Sequence, residues 1–153
     1  MPPFLKPSAV RKNNKHTGLC ATEDTVQKSM AHYLDLCVLC KVLVVWWHVP
    51  NGGWRGKAEA ARFKALGVRA GVPDLTLVFA STDDRSLVAM PEVKSADGVL
   101  SSAQKSLLPI LQNNGVPSRT VRTVSELRQF MADCCTLWER EDLLARLPRL
   151  TQQ

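Results

Sequence analysis

Apolar residues first take up a regular period at Val26, Met30, Tyr33 and Cys37, a spacing of three and four that gathers them on one face of an α-helix. Thr22 stands ahead of that stripe as an N-cap, and Glu23 and Asp24 put negative charge in the first turn, where the helix dipole favours it. Residues 1–20 show no such period and carry Pro2, Pro3 and Pro7 among polar and basic residues. They read as a flexible arm, so the fold is expected to begin near Thr22. Residues 42–49 are β-branched and aromatic and end in Pro50-Asn51-Gly52-Gly53, which predicts a buried strand entering a tight turn. The Ala-rich residues 57–66 favour a helix ended by Gly67 in a left-handed conformation. Two strand-like runs, 75–79 and 87–93, flank the polar residues 81–85 and predict a hairpin. Ser101 with Gln104 forms a capping box for a helix running towards Asn113 and stopping at Gly115. Pro109 inside it is expected to kink or shorten that helix. Residues 119–124 predict a last strand, Ser125 a cap for a helix into the Cys134 region, and residues 137–149 a charged tail with helical character.

The order helix, strand, helix, hairpin, helix, strand, helix is that of an α/β fold with a mixed β-sheet flanked by helices, and no internal repeat interrupts it. With 153 residues, 45% apolar and 22% charged, the chain is sized for a single core. The expected organisation is a basic arm over 1–20, one globular domain over 21–134 and a tail over 135–153. No stretch reaches the roughly 20 uninterrupted apolar residues needed to cross a bilayer, and the N-terminus lacks the pattern of a signal peptide. A cytoplasmic protein with no membrane partner is expected.

The five cysteines, Cys20, Cys37, Cys40, Cys134 and Cys135, are odd in number, which argues against a disulfide framework in a chain of this size. Cys37 and Cys40 form a C-x-x-C, and Cys134 and Cys135 are two further candidate zinc ligands. Zinc knuckles usually repeat the C-x-x-C spacing, however, and Cys37 and Cys40 fall at core positions of the first helix. Formal charge is +6, and its distribution is more telling than its size. Lys6, Arg11, Lys12 and Lys15 stand in the arm without an acid, and Arg55, Lys57, Arg62, Lys64 and Arg69 face Glu59 alone. Basic flanks around a more acidic centre suit an enzyme that holds both a nucleic acid and a cation.

That centre contains Pro73-Asp74 at the start of one hairpin strand and Glu92-Val93-Lys94 near the end of the other. Strand alternation lets Glu92 and Lys94 face Asp74 while Val93 turns into the core. Two carboxylates and an ammonium in one pocket need a cation or a bound phosphate for balance, and hard oxygen ligands suit Mg2+ or Mn2+. Such a group can cleave phosphodiesters, with the metal polarising a phosphoryl oxygen and the lysine orienting water or neutralising transition-state charge. Taken singly, each residue has a plainer explanation: Asp after Pro is a common turn residue, and E-x-K is often a surface ion pair.

In order, His48-Val-Pro-Asn51-Gly52-Gly53, Lys64-Ala-Leu-Gly67-Val-Arg-Ala-Gly71-Val-Pro73-Asp74-Leu, Glu92-Val-Lys94 and Leu100-Ser101-x-x-Gln104 resemble the VRR-NUC branch of the PD-(D/E)xK nucleases over roughly residues 22 to 130. The resemblance implies a restriction-endonuclease-like core and a metal-dependent nuclease. It implies Asp74 and Glu92 as metal ligands, the Val93 carbonyl as a third oxygen donor, Lys94 as the catalytic lysine and Glu23 as completing the metal site. Read alone, Glu23 is equally a first-turn dipole residue. Gln104 matches the family's glutamine near the active site or DNA backbone, with the capping box as its alternative. Asn51, Gly52 and Gly53 would form a turn close to DNA with Arg55 on a phosphate, or else a simple hairpin turn. His48, beside Trp46 and Trp47, reads as a packed residue. Stand-alone relatives resemble Holliday junction resolvases of bacterial or phage-infected cells, which implies branched DNA as substrate and a homodimer, because paired cuts on a four-way junction need two sites related by a twofold axis. The 42–49 strand, the first helix and the tail are all candidate interfaces. The competing readings are a flap or duplex nuclease without junction preference, a non-catalytic DNA-binding subunit and a zinc-thiolate module.

Overall fold

The computed structural model describes residues 22–49, 57–81 and 85–150. The expected arm at 1–20 and the 50–53 turn with Arg55 lie outside the described residues. Helix α1, Glu23–Leu39, starts where Thr22 caps it, the Thr22 side chain accepting from the Thr25 amide. Its Met30, Tyr33, Leu34 and Cys37 are buried, the face that the three-and-four spacing lays out. Strand β1, Leu43–His48, runs antiparallel to β2, Leu75–Phe79, which pairs antiparallel with β3, Val88–Ala89. Between them α2, Lys57–Ala65, ends at Gly67, whose φ of 92° is the left-handed turn expected there.

Both strand senses of a mixed sheet are present, divided between two ladders. The expected hairpin exists as β2 and β3, but the 87–93 run breaks before its acidic end. Glu92–Val93 forms β4, which pairs in parallel with β5, Thr120–Val121. The break falls at Pro91, which has no amide to give to a ladder; its carbonyl still accepts from Leu75, while the Glu92 amide turns to the Arg119 carbonyl at 2.9 Å. Pro91 therefore hands the chain from one sheet to the other, and Glu92 and Lys94 sit at that crossing.

Helix α3, Ser102–Asn113, opens with the Ser101–Gln104 capping box and is followed by Gly115 at φ 78°. Pro109 lies within it without shortening it. Pro109 and Lys105, whose carbonyl loses its partner to the proline, are both exposed, so no buried group is left unsatisfied. Helix α4, Val124–Leu137, is capped by Thr123, whose side chain accepts from the Glu126 amide. Ser125 is not the cap; the T-x-x-E pattern two residues earlier places the start there. Helix α5, Glu141–Arg146, follows.

The core lies between α1, α4 and the strands. Leu75, Leu77, Val93, Val121, Leu127 and Met131 are fully buried, and Leu143 of α5 joins the same cluster. Arg140 latches α5 to the sheet, donating to the Ala80 carbonyl at 2.9 Å and to both Asp142 oxygens at 2.7 and 2.8 Å. Hydrogen bonds from Arg140 hold the exposed Asp142 carboxyl down at about 2. The expected burial of β1 is corrected: Val44, Val45 and Trp47 are 62%, 46% and 47% exposed, because β1 is the outer strand in the order β1-β2-β3. Cys40, expected in the core, is exposed just past the end of α1, whereas Cys37, Cys134 and Cys135 are buried free thiols.

Candidate active site

Asp74 stands immediately before β2. Its backbone carbonyl accepts from the Val49 amide at 2.8 Å and from His48 Nδ1 at 2.9 Å, and its Oδ2 accepts from the Val93 amide at 3.1 Å. Main-chain and side-chain bonds thus fix Asp74 between the two ladders. His48 is exposed and beside this residue, which corrects its reading as a packed histidine. The cause is strand order, since an outer strand leaves the ring uncovered.

Glu92 and Lys94, two apart, lie together, while Val93 between them is buried in the core. Lys94 Nζ lies 2.5 Å from Glu92 Oε1, 3.0 Å from the Val93 carbonyl oxygen, 3.7 Å from Glu23 Oε2 and 4.0 Å from Asp74 Oδ2. The ammonium therefore occupies the middle of the oxygen set named by sequence as metal ligands. Glu23 reaches it from the first turn of α1, in addition to its place at the dipole. Gln104 forms the capping box and also reaches Glu92. Its Oε1 accepts from the Ser101 amide at 2.8 Å, and its Nε2 donates to Glu92 Oε1.

Glu92 is 0% exposed and its Oε2 is buried without a hydrogen-bond partner. Burial pushes its carboxyl up to about 7, with Asp74 adding to the rise and Lys94 opposing it. For Lys94, burial lowers the pKa, but the hydrogen bond to Glu92 and the negative charges of Glu92, Asp74 and Glu23 outweigh it, and the net shift is upward. With Glu92 ionised, three carboxylates against one ammonium leave an excess of negative charge that a second cation would balance. The unpaired Glu92 oxygen and the all-oxygen donor set fit a hard divalent ion. Among the described residues no cluster of three or more His, Cys, Asp or Glu side chains is already arranged around a metal position, since the carboxylates converge on Lys94 instead.

A cavity of ≈ 560 Å³ opens beside this group. Glu23, Asp74, Lys94 and Gln104 line it together with Phe63 and Lys64 of α2 and Arg69 and Val72 of the following loop. Lys64 and Arg69 were not picked out individually from the sequence, although the basic excess over 55–69 was the signal that contained them. Gly71 closes the floor: at φ 85°, a Cβ there would lie 2.6 Å from the Ala103 backbone carbon and oxygen. The thiols stand elsewhere. Burial pushes Cys37 and Cys134 up to about 12 and Cys135 to about 11, which disfavours the thiolates a zinc site requires.

An acidic pair and a lysine at a sheet crossing, with a carboxylate from the first helix and a basic cavity beside them, define the PD-(D/E)xK class of nuclease. The sequence profile of the VRR-NUC domain matches residues 23–125, more than half of the chain, and the protein belongs to that family. A solved structure described as a VRR_NUC domain protein shares the fold, with a TM-score of 0.51 and 21% identity over 81% of this chain and 91% of that one. Curated protein sequences give no match.

Proposed function

We propose that this VRR-NUC nuclease is a Mg2+- or Mn2+-dependent endonuclease selective for branched DNA such as Holliday junctions, acting as a homodimer in replication or repair. The observation that carries the metal-dependent site is the gathering of Glu23, Asp74, Glu92 and the Val93 carbonyl around Lys94, with a buried Glu92 oxygen still unpaired. In this reading those four groups would hold the ion, which would supply Lewis-acid polarisation of a phosphoryl oxygen. The chain's own residues do the rest. Lys64 and Arg69 attract the DNA backbone to the cavity mouth, which sets the scissile phosphate against the Asp74 side. Lys94 orients the attacking water and neutralises charge on the pentacovalent transition state. Gln104, held by its capping box, keeps the Glu92 carboxylate turned towards the site, and the Val93 amide does the same for Asp74.

A twofold dimer is supported by the exposed apolar residues of β1, Val44, Val45 and Trp47, the first two of which share a groove with Leu39 of α1. The tail is a weaker candidate for the interface because Leu143 and Leu147 are committed to the chain's own core. The test is cleavage of labelled four-way junction, flap and linear duplex DNA in Mg2+ or Mn2+, comparing the wild type with Lys94→Ala. Paired junction cuts that vanish in the variant and in chelator are expected. Equal cutting of duplex and flap would remove junction selectivity, and junction binding without any cutting would leave a DNA-binding subunit.

A further inference from the structure

We infer that Arg122 is a positioning residue for Lys94, acting through the turn at residues 95–98; the inference rests on the nuclease reading above. The Lys94 backbone is set by the second ladder, its amide donating to the Val121 carbonyl at 3.1 Å. That bond leaves four side-chain torsions to be fixed, and holding a lysine in one rotamer costs conformational entropy. A wall is therefore needed along its aliphatic stem. Gly98 provides it: a Cβ at that position would lie 3.1 Å from both Lys94 Cβ and Cδ and 3.0 Å from Ser95 Oγ.

The turn that carries Gly98 has one internal main-chain bond, Gly98 amide to Ser95 carbonyl at 3.0 Å. Arg122 supplies two more. Its Nη2 donates to the Gly98 carbonyl at 2.8 Å and its Nε to the Ala96 carbonyl at 3.3 Å. Arg122 is fixed in turn: its amide donates to Glu126 Oε2 at 2.9 Å, and it follows Val121, the register partner of Val93. A line of contacts thus runs from the first turn of α4 through the guanidinium and the turn to the stem of Lys94. The planar fork of arginine spans two carbonyls in a way that an ammonium does not. Arg122 touches none of the catalytic carboxylates in this chain of contacts, so its effect reaches the chemistry through where Lys94 sits.

Steady-state cleavage by wild type, Arg122→Ala, Arg122→Lys and Gly98→Ala, with thermal melting of each, tests this. Displacing a catalytic group by about 1 Å costs on the order of 10²-fold, so kcat of Arg122→Ala is expected to fall about tenfold to hundredfold with KM within about twofold. Arg122→Lys should recover part of the loss, and so should added guanidinium with the alanine variant. Gly98→Ala, which keeps Arg122 and presses directly on the stem, should lower kcat in the same way. A rise in KM at unchanged kcat would make Arg122 a phosphate contact instead and overturn the inference, as would unchanged kinetics in both variants while the wild type cuts. A folded wild type that cuts no DNA would overturn the nuclease reading and this inference with it.

Discussion

At the scale of the residue, Glu92 is the most deeply buried charged group of the candidate site. Its carboxyl is raised from 4.5 to about 7, so the folded state binds that proton more tightly than the unfolded chain. The stability this gives is present below pH 4.5 and is lost as pH rises through about 7. The metal-free protein should therefore lose stability over that window relative to Glu92→Gln, on the order of a few kcal/mol. Melting both proteins in chelator from pH 4.5 to 8 checks this; parallel pH dependences would remove Glu92 as the source. Addition of Mn2+ at neutral pH should favour the ionised carboxylate and restore the wild type more than the variant. The sequence named Glu92 and Lys94 from an E-x-K on a strand. Strand alternation put them in one pocket with Asp74, and the family resemblance added Glu23; the placing of Lys94 4.0 Å or less from all three carboxylates came only with the structure, because Glu23 arrives from a helix remote in sequence.

At the scale of the element, the site depends on how closely the loop before β2 meets the first turn of α3. Gly71 makes that contact. Gly71→Ala would place a Cβ 2.6 Å from the Ala103 carbonyl and 2.9 Å from the Gln104 amide at a φ of 85°, where backbone on both sides blocks relief. The expected cost is about 2–4 kcal/mol, from left-handed strain together with the clash, measured by denaturant unfolding. Because the displaced turn carries Gln104, cleavage should also fall in the fraction that stays folded. A stability change under about 0.5 kcal/mol would show the approach to be loose. Most elements were legible from spacing and caps: Thr22 and Ser101 act as read, and Gly67 and Gly115 adopt the positive φ expected of them. The partition of the 87–93 run between two sheets was not, because a β-rich run does not state its partner. Pro91 is visible in the sequence, but only the parallel approach of β5 gives the break somewhere to go.

At the scale of the whole molecule, the outer strand β1 leaves Val44, Val45 and Trp47 exposed. Val44 at 62% and Leu39 at 78% exposure lie on the face proposed for the twofold interface, where burial of an aliphatic side chain contributes about 1.5–3 kcal/mol. Val44→Glu with Val45→Lys is expected to convert a dimer into a folded monomer in sedimentation velocity, and to change paired junction cuts into single nicks. A wild type that sediments as a monomer across micromolar concentrations would end the dimer proposal while leaving the nuclease activity intact.

The sequence by itself determined the helices, the strand-rich runs, the candidate site residues and their order along the chain. Those follow from local physics: side-chain periodicity, capping and the conformational limits of glycine and proline act within a few residues. Which strands became outer strands, that Arg122 binds the Gly98 carbonyl, that Lys64 and Arg69 share a cavity with Glu23 and Asp74, and that one glutamine both caps α3 and binds Glu92 were decided only by the tertiary structure. These relations join residues far apart in the chain, and their energies depend on burial and charge proximity, which exist only once the elements have packed.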